Sequence, residues 1–414
     1  MTEILLMASV VLLTLGAAFS LKDARIGFVA SVISAVLAVT SLEPETYFFG
    51  ALILVIGLLN IITLYLSDNQ IKGIDYAIVA MLIFATVLVI QSTNLAVLIG
   101  TFVLVSVPTY VLVMLSENDV KLEVGIKYIT FMVFATVIFI IGTFLLVYSH
   151  SNMNPTLYVI GYVLLILGLG LEVGIAPLHE WVPDVFSAAD PIPVSIIASI
   201  AKFVPFIVAF KLIIATANPV TSSITMFVAF LAVLSMFAGN IGALTSREPG
   251  RVLGYSTVAN MGYALSAFVA VVNFDLIYLA IAGVLMQLFA NSAGKIGFFT
   301  AIKDRGVGTP FTYTFALSFI GMPPLMGFWS KLFIVLALVY SGYMWLAVLL
   351  VINSAISVPY YIRLAKELGE GWGYGVVNLV ALIAAIFILM TVYPPDWFLQ
   401  SVKGIVGTFV VAGV

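Results

Sequence analysis

Apolar stretches of about twenty residues follow one another along nearly the whole chain, with short polar connections between them, the pattern of a chain that crosses a membrane many times. Taking roughly 20 apolar residues per span, the pattern predicts helices over 4–21, 25–42, 47–66, 74–91, 94–115, 123–148 and 157–177. It predicts seven more over 190–215, 221–244, 251–271, 275–301, 311–340, 343–367 and 373–393, about fourteen in all. Spans seven and twelve carry Gly and Pro inside them, and the residues after Pro395 read as a short interfacial tail. The fold class is thus an all-α polytopic membrane protein, one transmembrane domain over 1–414. Within it, N-terminal helices occupy 4–73, two groups of five helices occupy 74–215 and 221–367, and a last helix with its tail occupies 373–414.

The stretch from Leu171 to Lys202 breaks this pattern. Glu172 and Lys202 lie in apolar surroundings, and between them come Pro177, His179, Trp181, Pro183, Asp184, Pro191 and Pro193. A charge at the bilayer centre costs about 3 kcal/mol on insertion scales, so such residues usually face a bundle interior or a watery cavity and act there. Composition agrees with the spans: 63% of residues are hydrophobic and 8% charged, against about 25% charged in soluble proteins. The first apolar run has no Lys or Arg before it, so it is expected to be a membrane span and not a cleaved signal.

The basic residues add an orientation. Lys22, Arg25, Lys72, Lys121, Lys127, Arg247, Arg251, Lys303, Arg305, Arg363 and Lys366 fall in or beside connections that follow odd-numbered spans. Lys and Arg in short loops prefer the cytoplasmic side, which places both termini outside a cytoplasmic membrane. Lys211 and Lys403 stand on the other side, and the connection after span seven is acidic, with Glu180, Asp184 and Asp190. A weak symmetry is also visible. Gly174-Ile175-Ala176-Pro177 in span seven is echoed by Gly321-Met322-Pro323-Pro324 in span twelve, and each is followed by a span with its own proline, Pro205 and Pro359. An offset of five spans makes the related segments cross in opposite directions, the logic of inverted repeats with interrupted helices at an ion site.

Four ionisable residues lie well inside spans: Glu172, Lys202, Lys295 and Lys331. A lysine is the cation that most readily gives up its proton when buried, so these are candidates for ion translocation. His179, beside the first break, is a candidate for proton uptake. Each also has a purely structural reading. Glu172 and Lys202 could form a fixed ion pair, Lys331 could cap carbonyls freed at Pro323-Pro324, Lys295 could belong to the small polar packing run Asn291–Lys295, and His179 could sit satisfied at an interface. Other chemistry is excluded. With no cysteine and two histidines, the chain has no iron–sulfur ligation, no thiolate metal site and no expected bis-histidine haem. Phosphate loops and metal-ligand spacings are also missing, so no cofactor of its own is expected and any redox centre belongs to a partner. A net charge of −3 gives no ground for a nucleic-acid partner.

Pro177-x-His179-x-Trp181-x-Pro183-Asp184, then Pro191-x-Pro193-Val194-Ser195 and Lys202, resembles the hallmark stretch of the antiporter-like subunits of respiratory complex I, most closely the N-type. The same family includes large subunits of Mrp-type cation/proton antiporters and of membrane-bound hydrogenases and sulfur reductases. Leu122-Glu123-x-x-Ile126-Lys127-Tyr128, Arg251 to Thr257 with Met261-Gly262-Tyr263, and Gly327-Phe328-x-x-Lys331 extend the likeness over about 90–365. It implies fourteen helices with two inverted five-helix repeats, helices four to eight and nine to thirteen. It also implies a polar axis for protons in which Lys202 is the helix-eight lysine and Lys331 the helix-twelve residue. Two positions depart: the family's helix-five glutamate falls on Val103 and its helix-seven lysine on Glu172. The histidines often found in helices ten and eleven fall on Asn260 and Asn291.

The expected function is an ion-translocating subunit, for protons or sodium, of a complex-I-related membrane assembly. Its expected partners are other membrane subunits, peripheral iron–sulfur redox subunits and the lipid bilayer, and it would belong to an oxidoreductase without holding a reaction centre. One alternative is a subunit of a multi-subunit cation/proton antiporter. Another is a non-conducting structural subunit of the membrane arm. For Glu172 three roles stand open: relaying protons with Lys202, binding sodium among carbonyls freed near Pro177, or lying in a dead half-channel.

Overall fold

The computed structural model describes residues 2–66, 73–114, 122–272, 276–370 and 376–409. Its helices are α1 (Thr2–Ser20), α2 (Ala24–Thr40), α3 (Pro44–Leu66), α4 (Ile74–Gln91), α5 (Leu95–Met114), α6 (Leu122–Ser151) and α7 (Pro155–Val173). They continue as α8 (Trp181–Ala188), α9 (Pro191–Ala198), α10 (Phe203–Thr216), α11 (Thr221–Thr245), α12 (Pro249–Ser266) and α13 (Ile277–Lys303). The last are α14 (Thr309–Ile320), α15 (Met326–Tyr340), α16 (Met344–Ile356), α17 (Val358–Leu368), α18 (Val376–Leu389) and α19 (Asp396–Gly407). A two-residue parallel pairing of Val307–Gly308 with Gly369–Glu370 ties two connections together. The protein is an all-α multi-pass membrane protein. Lys72 and Lys121, part of the expected charge asymmetry, lie outside the described residues.

Each predicted span coincides with a helix or a group of helices. By length and apolarity, however, ten described helices suffice to cross a membrane, or eleven if a pair bent by 93° at Asp396 counts as one. Four predicted spans fall short of that measure for separate reasons. Helix α2 has 17 residues, and α12 is comparatively polar. Span twelve is cut into α14 and α15, and α18 passes into a 3-10 turn at Met390. Burial follows position in the bundle. Helices α9, α10 and α13 are enclosed almost throughout, whereas α1, α6, α11 and α16 leave Ile4, Phe134, Phe144, Phe230 and Val351 exposed. So large an apolar surface is at home in lipid.

The expected breaks are present. Helix α7 stops at Val173 because Gly174 takes a left-handed φ of 85°, and α14 stops at Ile320 because Gly321 takes φ 91°. Such values cost a side chain energy and suit glycine. At each end the glycine and the next residue donate back: Gly174 and Ile175 to Gly170 O, at 2.9 and 2.7 Å, and Gly321 and Met322 to Leu317 O, at 3.1 and 2.9 Å. Pro177, Pro323 and Pro324 then lack the N–H that would continue a helix; the peptide bonds Ala176–Pro177 and Pro323–Pro324 are cis. Span seven resumes as α8 and span twelve as α15.

Span eight also departs from the continuous helix expected of it. Ser199, with φ −112° and ψ −97°, lies outside the helical region, and a 3-10 turn over Ile200–Lys202 joins α9 to α10. The lysine therefore sits at a break, as Lys331 sits near one.

The contact between α14 and α15 depends on one glycine. A Cβ on Gly327 would lie 1.8 Å from the backbone oxygen of Ser318. Gly327→Ala is expected to destabilise the subunit by roughly 3 kcal/mol, the upper range for forced overpacking. A thermal-stability measurement in detergent checks this: a transition unchanged from native would show that the two halves part freely.

Candidate functional site

The first half of the site forms where α5, α7, α8 and the break in span eight meet. Glu172 is 5% exposed. Its Oε1 accepts a hydrogen bond from Ser106 Oγ of α5 at 2.9 Å, and its Oε2 is buried with no partner among the described residues. Lys202, 3% exposed, does not reach that carboxylate. Its Nζ donates to the backbone carbonyl of Glu172 at 3.1 Å and lies 5.1 Å from the centre of the Trp181 ring. The Trp181 indole N–H donates to Leu171 O at 2.9 Å. Lysine and tryptophan thus together cap carbonyls that the end of α7 leaves free, as helix ends require. The fixed ion pair between Glu172 and Lys202 is not formed, since no N–O approach within 4.0 Å links them, whereas three such pairs occur elsewhere among the described residues.

In the second half, Lys331 holds the end of α14. Its Nζ donates to Phe319 O at 2.7 Å, to Ile320 O at 3.1 Å and to Ser354 Oγ of α16 at 2.7 Å. All three ammonium protons are placed, above the Tyr263 ring at 4.8 Å. Capping at the break is therefore its position in this structure. Lys295, fully buried, donates to Leu253 O and Ser256 Oγ of α12, both at 2.5 Å.

Between these lysines runs a file of amides and hydroxyls. Asn260 donates to Ser256 O at 2.7 Å and to the Tyr361 hydroxyl at 3.0 Å. Its Oδ1 accepts from Gln287 at 2.6 Å, and Gln287 Oε1 accepts from Ser330 at 2.5 Å, the residue before Lys331. Gln287, Asn291 and Lys295 are spaced by four and share one face of α13. Asn291 donates to Ala198 O at 3.2 Å, which carries the file to the break in span eight. Gln287, Ser106 and Ser330 carry no charge, and sequence reasoning passed them over; the signal was the repeat of polar residues every four positions in α13.

His179 does not join this axis. Its ring packs 6.3 Å from Tyr255, and its Nδ1 is buried without a partner among the described residues. The acidic connection near it is explained by its neighbours. Asp184 is shared by Lys127 at 2.7 Å and Arg251 at 2.9 Å, and Asp190 pairs with Lys303 at 2.6 Å. Cations from three other elements thus supply what this connection lacks. Lys211, one of the two exceptions on the opposite side, is buried and caps the end of α4, donating to Ile90 O at 2.9 Å and Ser92 O at 2.8 Å.

Helices broken at mid-length, with buried lysines against the freed carbonyls, define a polytopic membrane protein of the interrupted-helix kind. The sequence comparison agrees: the chain belongs to the family described as NADH:quinone oxidoreductase/Mrp antiporter, TM, which matches residues 92–357. Among relatives, NADH-quinone oxidoreductase subunit N of Neisseria gonorrhoeae is 27% identical over 281 residues, covering 61% of this chain and 58% of that one. The match thus spans little more than half the length of that relative. In fold, the chain resembles one chain of the archaeal membrane-bound sulfane sulfur reductase, a respiratory membrane complex, with a TM-score of 0.82, 18% identity and coverage of 99% and 98%. It also resembles a chain of the Mrp complex from Dietzia, with a TM-score of 0.78, 14% identity and coverage of 99% and 96%. The resemblance read from Pro177 to Lys202 and from Gly327 to Lys331 is borne out at the level of family and fold.

Proposed function

We propose that this chain is an ion-translocating subunit of a complex-I-related membrane assembly, moving protons along the buried file from Glu172 and Lys202 through Lys295 to Lys331. The observation that carries the reading is the pairing of lysines with neutral acceptors. Lys202, Lys295 and Lys331 are hydrogen-bonded to carbonyls and hydroxyls, not to carboxylates, so none is locked in an ion pair, and of the three only Lys202 has a carboxylate, that of Glu172, acting on it from nearby. The unpartnered Oε2 of Glu172 is the atom that takes up a proton in the first half. Glu172 does from α7 what the family's glutamate does from helix five, and Ser106 of α5 holds it.

In this proposal 74–215 and 221–367 are two inverted repeats, both termini lie outside a cytoplasmic membrane, and His179 is a residue of proton uptake. Other membrane subunits flank the chain, and iron–sulfur subunits supply the energy. Moving one charge against 100 mV takes about 2.3 kcal/mol, and the chain holds no chemistry of its own to provide it. The likeness to an Mrp chain favours a second reading, a cation/proton antiporter driven by an ion gradient. Purification from the native membrane separates the two, because redox subunits accompany the chain only in the first.

The test of the site is Glu172→Gln in the purified assembly, reconstituted in liposomes. Translocation is expected to fall at least about tenfold, roughly 1.4 kcal/mol in the barrier. Flux equal to native would remove Glu172 from the pathway and favour a structural first half. A sodium requirement lost with the substitution would turn the carboxylate into a cation ligand.

A further inference from the structure

Helix α3 lies outside the residues that match the family, 92–357, yet it meets the break in span eight through its one amide. Asn60 is fully buried and donates to Ser199 Oγ at 3.0 Å and to Ile56 O at 3.0 Å. Its Oδ1 lies 3.4 Å from both Ser195 Oγ and Ser199 Oγ. Ser199 is the residue that leaves the helical region, and Lys202 follows it by one 3-10 turn. Toward the end of the bundle that carries Asp190 and Lys303, the polar seam between α3 and α9 continues to a small cavity. Thr63, Thr300, Lys303 and Asp304 line its polar side and Leu66, Ile192, Val377 and Val380 its apolar side, and its volume, about 10 Å³, is of the order that admits one water. Asp304 is exposed, so the cavity lies at the protein surface.

The two helices run antiparallel here. Thr63 and Ile192 share the cavity, and Asn60 faces Ser195 and Ser199. Lys202 is twelve residues beyond Asp190, roughly 18 Å inward at 1.5 Å per residue. At the inner end a second observation points to water. Asn291 binds Ala198 O, next to Ser199, while its own Oδ1 is buried with no partner among the described residues. A buried amide oxygen of this kind calls for a hydrogen-bond donor, and a water molecule is one that could supply it.

From this geometry we infer that the α3–α9 seam is a hydrated route by which protons reach Lys202 from the Asp190–Lys303 end, with Asn60 as the positioning residue at its inner gate. The route rests on the translocation reading above and adds to it a half-channel through the N-terminal helices. Water in the cavity delivers a proton past Thr63 and Ser195. The Asn60 clasp keeps Ser199 out of the helical conformation, so that the path meets Lys202 at the break.

The chain has no cysteine, which allows a direct test on the intact assembly. Thr63→Cys, Ser195→Cys and, as a control, Leu59→Cys are each treated with methanethiosulfonate ethylammonium, and the mass of the labelled chain is followed. Leu59 is as buried as its neighbours but belongs to the apolar core. A thiol must meet water to react as thiolate, so the Thr63 and Ser195 variants are expected to label at least about tenfold faster than the control. Equal, slow labelling of all three overturns the route. Flux is then measured for the size-matched Thr63→Val with Ser195→Ala, and for Asn60→Leu. A severalfold loss, steeper at high pH where protons are scarce, supports the route, and native flux with a native pH profile overturns it. Labelling needs no flux. If the native assembly moves no ions while the two variants still label, translocation fails and the hydrated seam stands.

Discussion

Lys331→Arg is expected to leave the subunit folded and assembled while stopping ion translocation. Lys331 does two things that alanine would confound. It satisfies Phe319 O, Ile320 O and Ser354 Oγ at the end of α14, and by the reading above it releases a proton. Lys331→Ala would strand those acceptors, at about 1–3 kcal/mol for a buried group left unpaired, so a loss of flux would say little. A guanidinium keeps the donors and the charge but does not give up its proton. An open, largely apolar groove of about 230 Å³ beside Lys331, bordered by Gly321, Phe328, Leu332, Leu350 and the exposed Val351, leaves steric room for the larger head. The measurement pairs thermal stability with proton flux in liposomes. A stable, assembled Arg variant with at least about a hundredfold less flux, the scale of a lost proton-transfer group, makes Lys331 a relay. A stable variant with native flux makes it a cap alone.

The second large effect is expected at Lys202. Lys202→Met keeps the length and apolar stem of the side chain and removes its only donor group. The carbonyl of Glu172 then loses the bond at 3.1 Å, while the Trp181 bond to Leu171 O remains to hold α7 against α8. Flux is expected to fall at least about tenfold, about 1.4 kcal/mol, with stability lowered by about 1–3 kcal/mol for the buried carbonyl left unpaired. Because the two halves are joined at Ala198 and Asn291, substitutions at Lys202 and Lys331 act on one path. The double variant is expected to lose little more flux than the more affected single one, since a path already interrupted is not interrupted twice. Losses that multiply would show two independent paths.

Both substitutions rest on residues legible without any structure, and the reason is physical. Apolar runs near 20 residues mark helices because lipid leaves the backbone no other partner. The breaks at Gly174 and Gly321 were visible because glycine and proline act on the local backbone, through a left-handed φ and a missing N–H. Glu172, Lys202, Lys295 and Lys331 stood out because charge in an apolar span is costly wherever the span is placed. The break at Ser199 was not visible, since serine has no such local signature and its conformation accompanies a clasp from Asn60, 139 residues away.

What the ionisable residues touch belonged to the tertiary structure alone. Sequence allowed Glu172 and Lys202 to be an ion pair, but the rotation of α7 against the break in span eight puts the lysine on the backbone carbonyl and leaves Ser106, 66 residues earlier, to hold the carboxylate. Likewise the acidic connection after span seven looked like an exception to the charge pattern until α6, α12 and α13 brought Lys127, Arg251 and Lys303 to it. The amino-acid sequence by itself determined which segments are apolar, where glycine and proline interrupt them at Gly174 and Gly321, and which residues are costly to bury, because those are properties of a segment in lipid. Only the packing of the helices decided which carbonyl, hydroxyl or amide each buried proton carrier meets, because a hydrogen bond acts over about 3 Å and depends on how distant segments are turned toward one another.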